Sequence, residues 1–307
     1  MEELHERAAL VTGGGSGVGL GLARALLEAG ARVAIADLMP EHLAEAAVSL
    51  EKWSGRFSLH NVDVTDRASM AALASDIAGR HGPLHVLCPV AGVGVPFPTQ
   101  LATFEDWDWV FGVNVGGFIN ALVTFLPGML AHGGRGHIVA VGSIASVIPH
   151  HQQGIYTGSK FAVRGIAESL RLSLAGDGIG VTLVCPGLVR SRHLEAERTR
   201  PATLATGREL PQLPPDLLER ANSAAMPADE LGRLIVEAIR KNAPYVFSHP
   251  EIKQELEQVF AELLAAVPDP AGVPPERLAF EAMLRAGREE ARRLASSPSP
   301  SLQGVPK

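Results

Sequence analysis

The chain has 307 residues, of which 46% are hydrophobic and 20% are charged, so it can bury a large core and does not belong to the disordered class. Its net charge of -6, without a block of lysines and arginines, excludes the electrostatic attraction that binds nucleic acid or an anionic membrane surface. The two cysteines, Cys88 and Cys185, each end an apolar run, which is typical of buried free thiols and not of a disulfide framework.

The N-terminal sequence lacks the basic and apolar regions of a secretory signal, which predicts a cytoplasmic protein. An uncharged stretch over 110–131 is about long enough to cross a bilayer, so a transmembrane helix is one interpretation of it. Its asparagines, glycines and proline instead favour a helix that is buried in protein. We therefore expect no membrane partner.

From Ala8 onward, short apolar and β-branched runs alternate with longer helical patterns. Seven runs have the character of strands: AALVTG, RVAIAD, FSLHNVDV, LHVLCPVA, GHIVAVGS, GVTLVCPG and PYVFSH. Nearly continuous apolar strands are buried on both faces, and their alternation with helices predicts right-handed crossovers. The sequence therefore predicts an α/β fold with a doubly wound, Rossmann-type parallel sheet of about seven strands and helices on both faces.

The organisation beyond this sheet follows from the remaining patterns. We assign 1–250 to the Rossmann-type domain, within which 188–226 is too long for an ordinary connection and is expected to form a lid over the substrate. Two helical patterns over 251–295 predict a C-terminal helical extension. The last residues, 296–307, are rich in serine and proline and predict a disordered tail.

The first strand leads into a glycine-rich turn, TGGGSGVG, and then directly into a helix. Glycines let the backbone approach a pyrophosphate, which binds at the N-terminus of the following helix. A tight turn without a ligand is the alternative, but the place of the turn between strand and helix favours a dinucleotide site. The predicted ligands in this turn are Gly13, Ser16, Gly17, Val18 and Gly19.

Asp37 ends the second strand, about 20 residues beyond the glycines, where a carboxylate accepts hydrogen bonds from the ribose of adenosine. Leu38 follows it, so a 2′-phosphate would find no basic partner there and we predict NAD rather than NADP. A helix cap is the alternative role for Asp37. Asp63 and Val64 end the third strand near the expected adenine pocket, although Asp63 is equally suited to cap a loop.

Tyr156 and Lys160 lie four residues apart in GIYTGSKFAV, which places both on one face of a helix. Because a cation favours the phenolate, we expect the lysine to lower the pKa of the tyrosine and make it an acid and base near neutral pH. Ser143 closes the fifth strand, where its hydroxyl is suited to hold a substrate oxygen. Asn114 is either a relay that links the lysine to solvent through a water or a core amide satisfied by backbone.

These motifs, in this order and spacing, resemble the short-chain dehydrogenase/reductase family in its shorter form. The resemblance implies that Tyr156 donates and accepts the proton and that Lys160 is its partner and binds the nicotinamide ribose. It also implies that Ser143 orients the substrate and that Asn114 supports the proton relay. Further cofactor contacts are implied for Ala91, Gly92, Pro186, Gly187 and Val189.

One motif departs from the family pattern. Many relatives have two asparagines before the Ala-Gly pair, whereas this chain has Pro89 and Val90. The side-chain amide that ties neighbouring backbone segments together is therefore missing, and Pro89 also lacks an N–H group. This departure leaves open how the backbone segment after the fourth strand is held to its neighbours.

The segment 242–267 and the last helix are more loosely similar to the aryl-alcohol Cα-dehydrogenases of bacterial lignin-ether breakdown. That similarity implies NAD-dependent oxidation of a bulky, aromatic or hydrophobic secondary alcohol to its ketone. The alternatives are reduction of a steroid-like or other cyclic ketone and a non-catalytic NAD-binding protein. Family members commonly form dimers and tetramers, so a homodimer or homotetramer is expected. No cluster has metal-ligand spacing, and no metal is predicted.

Overall fold

The seven predicted strands form one parallel sheet in the computed structural model, which describes residues 3–133, 135–208 and 214–296. The strands are β1 Ala8–Thr12, β2 Arg32–Asp37, β3 Phe57–Asn61, β4 Leu84–Pro89, β5 Gly136–Val141, β6 Ile179–Cys185 and β7 Tyr245–Phe247. Their order is β3-β2-β1-β4-β5-β6-β7, so the direction of winding reverses between β1 and β4. Ligands of such sheets bind at the carboxyl ends of the strands beside that reversal. The predicted doubly wound fold is confirmed.

The helices up to β7 are α1 Gly17–Glu28, α2 Pro40–Ser49, α3 Arg67–His81, α4 Phe104–Phe111, α5 Gly117–Ala131, α6 Gly154–Ser173, α7 Pro215–Ala224 and α8 Ala228–Lys241, and those that pack on the sheet cover both of its faces. The side chains of a strand point alternately to opposite faces. In β1, Ala9 and Val11 accordingly join the apolar cluster that contains α1 and α8 residues, and Ala8 and Leu10 join the cluster on the other face. This double burial explains the unbroken apolar strands of the sequence.

The uncharged stretch of the sequence forms the end of α4, a π-helical turn at Gly112–Gly116 and α5. The combined helix, Phe104–Ala131, is long and apolar enough to cross a membrane by length and composition. Its most apolar window is 44% buried, and Phe118, Leu122 and Phe125 belong to the core on one face of the sheet. The packing is that of the buried helix favoured by the sequence.

After β7 the chain forms α9 Lys253–Ala265 and α10 Pro275–Ser296. The carbonyl oxygen of Ala295 accepts hydrogen bonds from Arg171 Nη2 at 2.9 Å and Asn242 Nδ2 at 3.2 Å, which tie the end of α10 to the sheet domain. Most of α10 faces solvent, including the side chains of its apolar stripe. The disordered tail predicted over 296–307 lies, apart from its first residue, outside the described residues.

Candidate active site

The turn between β1 and α1 forms a cradle in which side chains do not fit. Gly17 has a φ of 49°, and a Cβ there would lie 2.7 Å from the Cβ of Ser191. A Cβ on Gly19 would lie 2.0 Å from the carbonyl oxygen of Gly13. Ser16, the residue that precedes α1, makes no side-chain cap, so the first N–H groups of the helix stay available to an anion. The cradle fits a pyrophosphate.

Asp37 closes this cradle from the end of β2. Its Oδ2 accepts a hydrogen bond from Gly15 N at 3.0 Å and its Oδ1 accepts one from Met39 N at 3.0 Å. Among the described residues its ion-pair partner is His42, whose Nδ1 lies 3.4 Å from Oδ1. A carboxylate offers about four lone-pair positions, so both oxygens keep the capacity to accept a ribose hydroxyl. The helix-cap alternative is wrong, because α2 begins after Met39 without a side-chain cap, and the ribose role stays a prediction.

Asp63 and Val64 follow β3. Asp63 is exposed, and its Oδ1 accepts hydrogen bonds from the N and Oγ1 atoms of Thr65 at 2.8 and 2.7 Å. These are the contacts of the loop cap, which is the alternative that the sequence left open for Asp63. Val64 is buried against Gly117 at the start of α5.

A threonine hydroxyl holds the segment in which Pro89 and Val90 replace the asparagines of relatives. Thr12 Oγ1, at the end of β1, accepts hydrogen bonds from Val90 N at 3.2 Å and Ala91 N at 3.4 Å. A Cβ on Gly13 would lie 2.8 Å from the Cα of Ala91, so this segment packs directly on the glycine-rich turn. The neighbouring strand ends are thus tied together without the missing amide.

Tyr156 and Lys160 lie one turn apart near the start of α6, at the carboxyl end of β5. The Nζ atom of Lys160 is 5.5 Å from the centroid of the Tyr156 ring and donates a hydrogen bond to the carbonyl oxygen of Val141 at 3.0 Å. Ser143, two residues after β5, hydrogen-bonds Tyr156. Its Oγ also accepts a hydrogen bond from Ala145 N at 3.1 Å, which fixes the serine side chain. The three predicted groups are therefore brought together.

The expectation that Lys160 lowers the pKa of Tyr156 is wrong for the chain by itself. Burial raises the pKa of Tyr156 above its ordinary value of 10, and the hydrogen bond with Ser143 offsets only part of that rise. Burial also lowers the pKa of Lys160 to about 8. Desolvation disfavours the phenolate and the ammonium alike, and it is the largest influence on both pKa values. Tyr156 is therefore a neutral phenol at pH 7.

Asn114 lies on the π-helical turn and is 3% exposed. Its Oδ1 accepts a hydrogen bond from Val93 N at 2.8 Å, and its Nδ2 donates to Val93 O and Ser159 Oγ, each at 2.9 Å. A Cβ on Gly92 would lie 3.3 Å from Asn114 Oδ1 and 3.4 Å from Lys160 Nζ, so both polar groups approach the same glycine. The amide is thus satisfied by backbone, as the core alternative has it, and the relay through a water stays a prediction.

The segment after β6 reaches the same edge of the sheet. The carbonyl oxygen of Pro186 accepts a hydrogen bond from Ile144 N at 2.9 Å, next to Ser143. Gly187 N donates to His249 Nδ1 at 3.2 Å, and Val189 is buried. Pro186 therefore lies next to the loop that carries Ser143, and Gly187 and Val189 follow it along the chain.

The predicted lid is a loop whose ends are joined. Met226 N donates a hydrogen bond to Leu188 O at 2.9 Å, and Arg190 N donates to Met226 O at 3.0 Å. Residues 209–213 of the lid lie outside the described residues. Ion pairs hold the first part of the lid to α2 across the cofactor cradle: Arg192 to Glu45 at 2.7 Å and Arg198 to Glu41 at 3.4 Å.

The loop after β4, α4, α6 and the first part of the predicted lid share an apolar cluster, formed by Val93, Val95, Phe97, Trp109, Val110, Ile155 and Ala196. Arg200 of the lid pairs with Asp106 of α4 at 3.0 Å, and the two side chains are 3% and 1% exposed. The same guanidinium lies 4.1 Å from the centroid of the Trp109 ring. Apolar walls with a few fixed polar groups are typical of sites for small, largely hydrophobic ligands.

Two lid residues at the site were missed by the sequence analysis. Ser191 lies against Gly17 in the cofactor cradle, and the ring of His193 lies 5.2 Å from that of Tyr156, centroid to centroid. Neither belongs to a motif with a recognisable spacing. Their nearness to Gly187, in a segment predicted to be a lid, was the available signal.

Comparison with known proteins agrees with this geometry. Residues 7–202 match the family model described as short chain dehydrogenase. The C alpha-dehydrogenase of Sphingobium sp. strain SYK-6 is 32% identical over 300 residues, which are 95% of this chain and 97% of that protein.

Solved structures are similar over most of the chain. A putative short-chain dehydrogenase from Novosphingobium aromaticivorans has a TM-score of 0.83 at 33% identity, covering 96% of this chain and 100% of that one. A short-chain dehydrogenase/reductase from Burkholderia phymatum in complex with NAD has a TM-score of 0.79 at 31% identity, covering 89% and 100%. A metagenomic short-chain oxidoreductase in complex with NADP has a TM-score of 0.62 at 26% identity, covering 79% and 95%.

Proposed function

The chain belongs to the short-chain dehydrogenase/reductase family, and on that premise we propose that it is an NAD-dependent enzyme which interconverts a bulky, aromatic or hydrophobic secondary alcohol and its ketone. One observation carries the proposal. Ser143, Tyr156 and Lys160 lie together at the carboxyl edge of the sheet, beside a cradle that fits a pyrophosphate. A phenol and a hydroxyl in that place can hold and protonate a substrate oxygen.

The proposal of NAD as cofactor depends on Asp37. Related structures hold NAD in one case and NADP in another, so family membership leaves the choice open. The Asp37 carboxylate lies at the end of β2 with its oxygens fixed by backbone N–H groups. A 2′-phosphate beside it would add a second negative charge in a site that is 8% exposed, which is unfavourable.

Bound NAD supplies the hydride acceptor in the direction of oxidation. Ser143 Oγ is proposed to hold the alcohol oxygen, and Tyr156 Oη, as the phenolate, takes the hydroxyl proton. In the direction of reduction the Tyr156 phenol donates that proton to the ketone oxygen. Because burial raises the pKa of Tyr156, the phenol is the form that is ready to donate this proton, and ketone reduction is the second candidate direction.

The remaining predicted residues are proposed to hold these groups in place. Lys160 Nζ has two further hydrogens besides the one bonded to Val141 O, so it can bind a ribose hydroxyl of the cofactor. Asn114 links the loop after β4 to Ser159, and Ser159 Oγ donates to Tyr156 O at 2.7 Å. These bonds fix the backbone that carries the tyrosine.

The proposed substrate class follows from the walls of the site and from a relative. The cluster beside the site is apolar, with Phe97 and Trp109 buried in it against the guanidinium groups of Arg208 and Arg200, and apolar surroundings of this kind suit an aromatic or other bulky hydrophobic group. The name of the Sphingobium relative, C alpha-dehydrogenase, is that of an enzyme that dehydrogenates its substrate.

The test follows nicotinamide absorbance with a panel of secondary aromatic alcohols and NAD or NADP. We expect NAD-linked oxidation, and we expect Tyr156→Phe to lower kcat about 100-fold or more while NAD binding is retained, because only the acid and base is removed. A Tyr156→Phe protein as active as the parent would overturn the mechanism. Tight NAD binding without turnover of any alcohol or ketone would instead support a non-catalytic protein.

We further propose that the chain forms a homodimer or homotetramer through α5 and α6. Large apolar side chains on these helices face outward: Val123 is 70% exposed, and Ile119 and Phe161 are each 41% exposed. Such side chains are ordinarily covered when they cluster. The mass in solution at micromolar concentration tests this assembly, and a strictly monomeric mass would contradict it.

A further inference from the structure

His193 borders the place where the substrate has to meet Tyr156. It begins a 3₁₀ turn of the lid, His193–Thr199, and its ring is inclined at 57° to the Tyr156 ring. Gly94 packs against both rings, since a Cβ there would lie 2.9 Å from His193 Nε2 and 3.0 Å from Tyr156 Cδ2. The imidazole therefore forms part of the wall beside the catalytic phenol.

The imidazole is a polar group without a partner in the protein. Within residues 3–133, 135–208 and 214–296, neither ring nitrogen of His193 makes a hydrogen bond. Burial, reinforced by the charge of Lys160, lowers the pKa of His193 to about 4, so at pH 7 the ring has one donor and one acceptor nitrogen. The ring is only partly buried, and its two nitrogens stay accessible to solvent. A molecule bound in the cleft can supply this partner.

The lid fixes the imidazole before any substrate binds. The neighbouring Arg192 is tied to Glu45 at 2.7 Å, and further along the lid Arg200 is tied to the buried Asp106 at 3.0 Å. The segment that carries His193 is thus held at two points, one on each side of the cleft. A group held in this way loses little conformational freedom when it forms a hydrogen bond.

We propose that His193 is a positioning residue which hydrogen-bonds a second oxygen of the substrate, a hydroxyl on the carbon next to the alcohol that reacts. This inference rests on the proposed dehydrogenase function. Ser143 and Tyr156 hold the reacting oxygen, so the substrate group that contacts His193 is a different one. Because the rings of His193 and Tyr156 are in contact, this second group has to lie close to the reacting oxygen. The favoured substrates are therefore aryl diols with adjacent hydroxyls.

The experiment compares the parent with His193→Phe on two alcohols that differ by one hydroxyl, 1-phenylpropan-1-ol and 1-phenylpropane-1,2-diol, at saturating NAD. We expect the parent to prefer the diol. Phe keeps the ring against Tyr156 but removes the hydrogen bond, so kcat/KM for the diol should fall about tenfold or more, mainly through KM. The value for the mono-alcohol should stay near that of the parent.

Two further variants separate hydrogen bonding from packing. His193→Gln keeps a donor and an acceptor and should recover part of the preference for the diol. Leu194→Ala alters the adjacent side chain, which is 59% exposed, and should leave the ratio between the two alcohols unchanged. Equal losses on both alcohols in His193→Phe, or a rise confined to the KM of NAD, would overturn the inference.

The parent protein separates this inference from the function on which it rests. If the parent oxidises neither alcohol nor any other alcohol of the panel, the dehydrogenase proposal fails and His193 loses the role with it. If the parent oxidises both alcohols and His193→Phe keeps their ratio, only the role of His193 fails.

Discussion

The cofactor half and the lid half of the cleft are held together by different forces. In the cofactor half, backbone N–H groups bond across short sequence distances, as from Gly15 to the Asp37 carboxylate. In the lid half, long side chains form ion pairs between segments far apart in the chain, such as Arg192 with Glu45 and Arg200 with Asp106.

The difference indicates how each half should respond to change. The strength of backbone hydrogen bonds in a packed turn depends on how closely the backbone segments pack and only weakly on salt. The free energy lost when an ion pair is broken ranges from negligible at the surface to several kcal/mol when the pair is buried. The cofactor half should therefore be rigid in all conditions. The lid half should depend on its one fully buried pair and only weakly on the exposed ones.

The largest expected effect is the loss of that buried pair. Arg200→Leu removes the charge nearest to Oδ1 of the buried Asp106 and leaves the carboxylate with Arg208 at 3.6 Å and with Thr103 N, which donates to Oδ2 at 2.9 Å. Removal of one partner of a buried pair costs about 3–5 kcal/mol. We expect a matching fall in the free energy of unfolding in urea and faster proteolysis of the lid. Arg198→Gln, which alters an arginine whose side chain is 59% exposed, is the control and should change stability by less than about 0.5 kcal/mol. Equal losses of unfolding free energy in the two variants would contradict the difference between the buried and the exposed ion pairs of the lid.

In the cofactor half, Asp37→Asn should raise the KM for NAD about 10- to 100-fold, since a hydrogen bond to a charged group is worth more than one between neutral groups. The discrimination against NADP should shrink at the same time, because the repelling charge is gone. Steady-state kinetics with both cofactors measures this. Asp63→Asn is the matched control, because the exposed Asp63 caps a loop, and an equally large effect there would contradict the assignment.

Acid should weaken the sheet beneath both halves. His137 on β5 is 1% exposed, and burial lowers its pKa to about 3 from an ordinary 6.5, so the unfolded chain binds a proton that the folded chain does not. Its contribution is complete above pH 6.5 and declines as the pH falls towards 3. At pH 5 we expect His137 alone to account for a loss of about 2 kcal/mol of unfolding free energy, and His137→Gln should reduce the acid loss by that amount while the contributions of His85 and His193 remain. An unchanged pH slope in that variant would contradict this.

The smallest effect is expected for the exposed pair of the lid. Arg192→Gln removes the contact with Glu45, which is worth about 0.2–1 kcal/mol. Because this pair bridges the cofactor cradle, we expect a slightly faster dissociation of NADH and a weaker salt dependence of its rate, measured by stopped-flow fluorescence. Lys241→Gln, which removes an ion pair with Glu237 on α8, should leave that rate unchanged.

The same contrast explains which parts of the site could be predicted. The glycine-rich turn, Asp37 and the Tyr156–Lys160 pair are recognisable because each depends on residues within one turn or one strand end. Ser191 and His193 had no such signal, since their places follow from how the lid folds back. The pKa of Tyr156 was predicted in the wrong direction because spacing shows the charged neighbour and not the loss of water.

The sequence by itself determined the parallel sheet, through the alternation of apolar runs with helices, and it determined the cofactor cradle, through glycines whose backbone conformation is local. Only the tertiary structure decided that Thr12 replaces the missing amide beside Val90 and that Arg200 finds Asp106. The physical reason is how far apart in the sequence the interacting residues lie. Periodicity and turn chemistry act between neighbours in the chain, whereas burial and ion pairing depend on segments that meet only after folding.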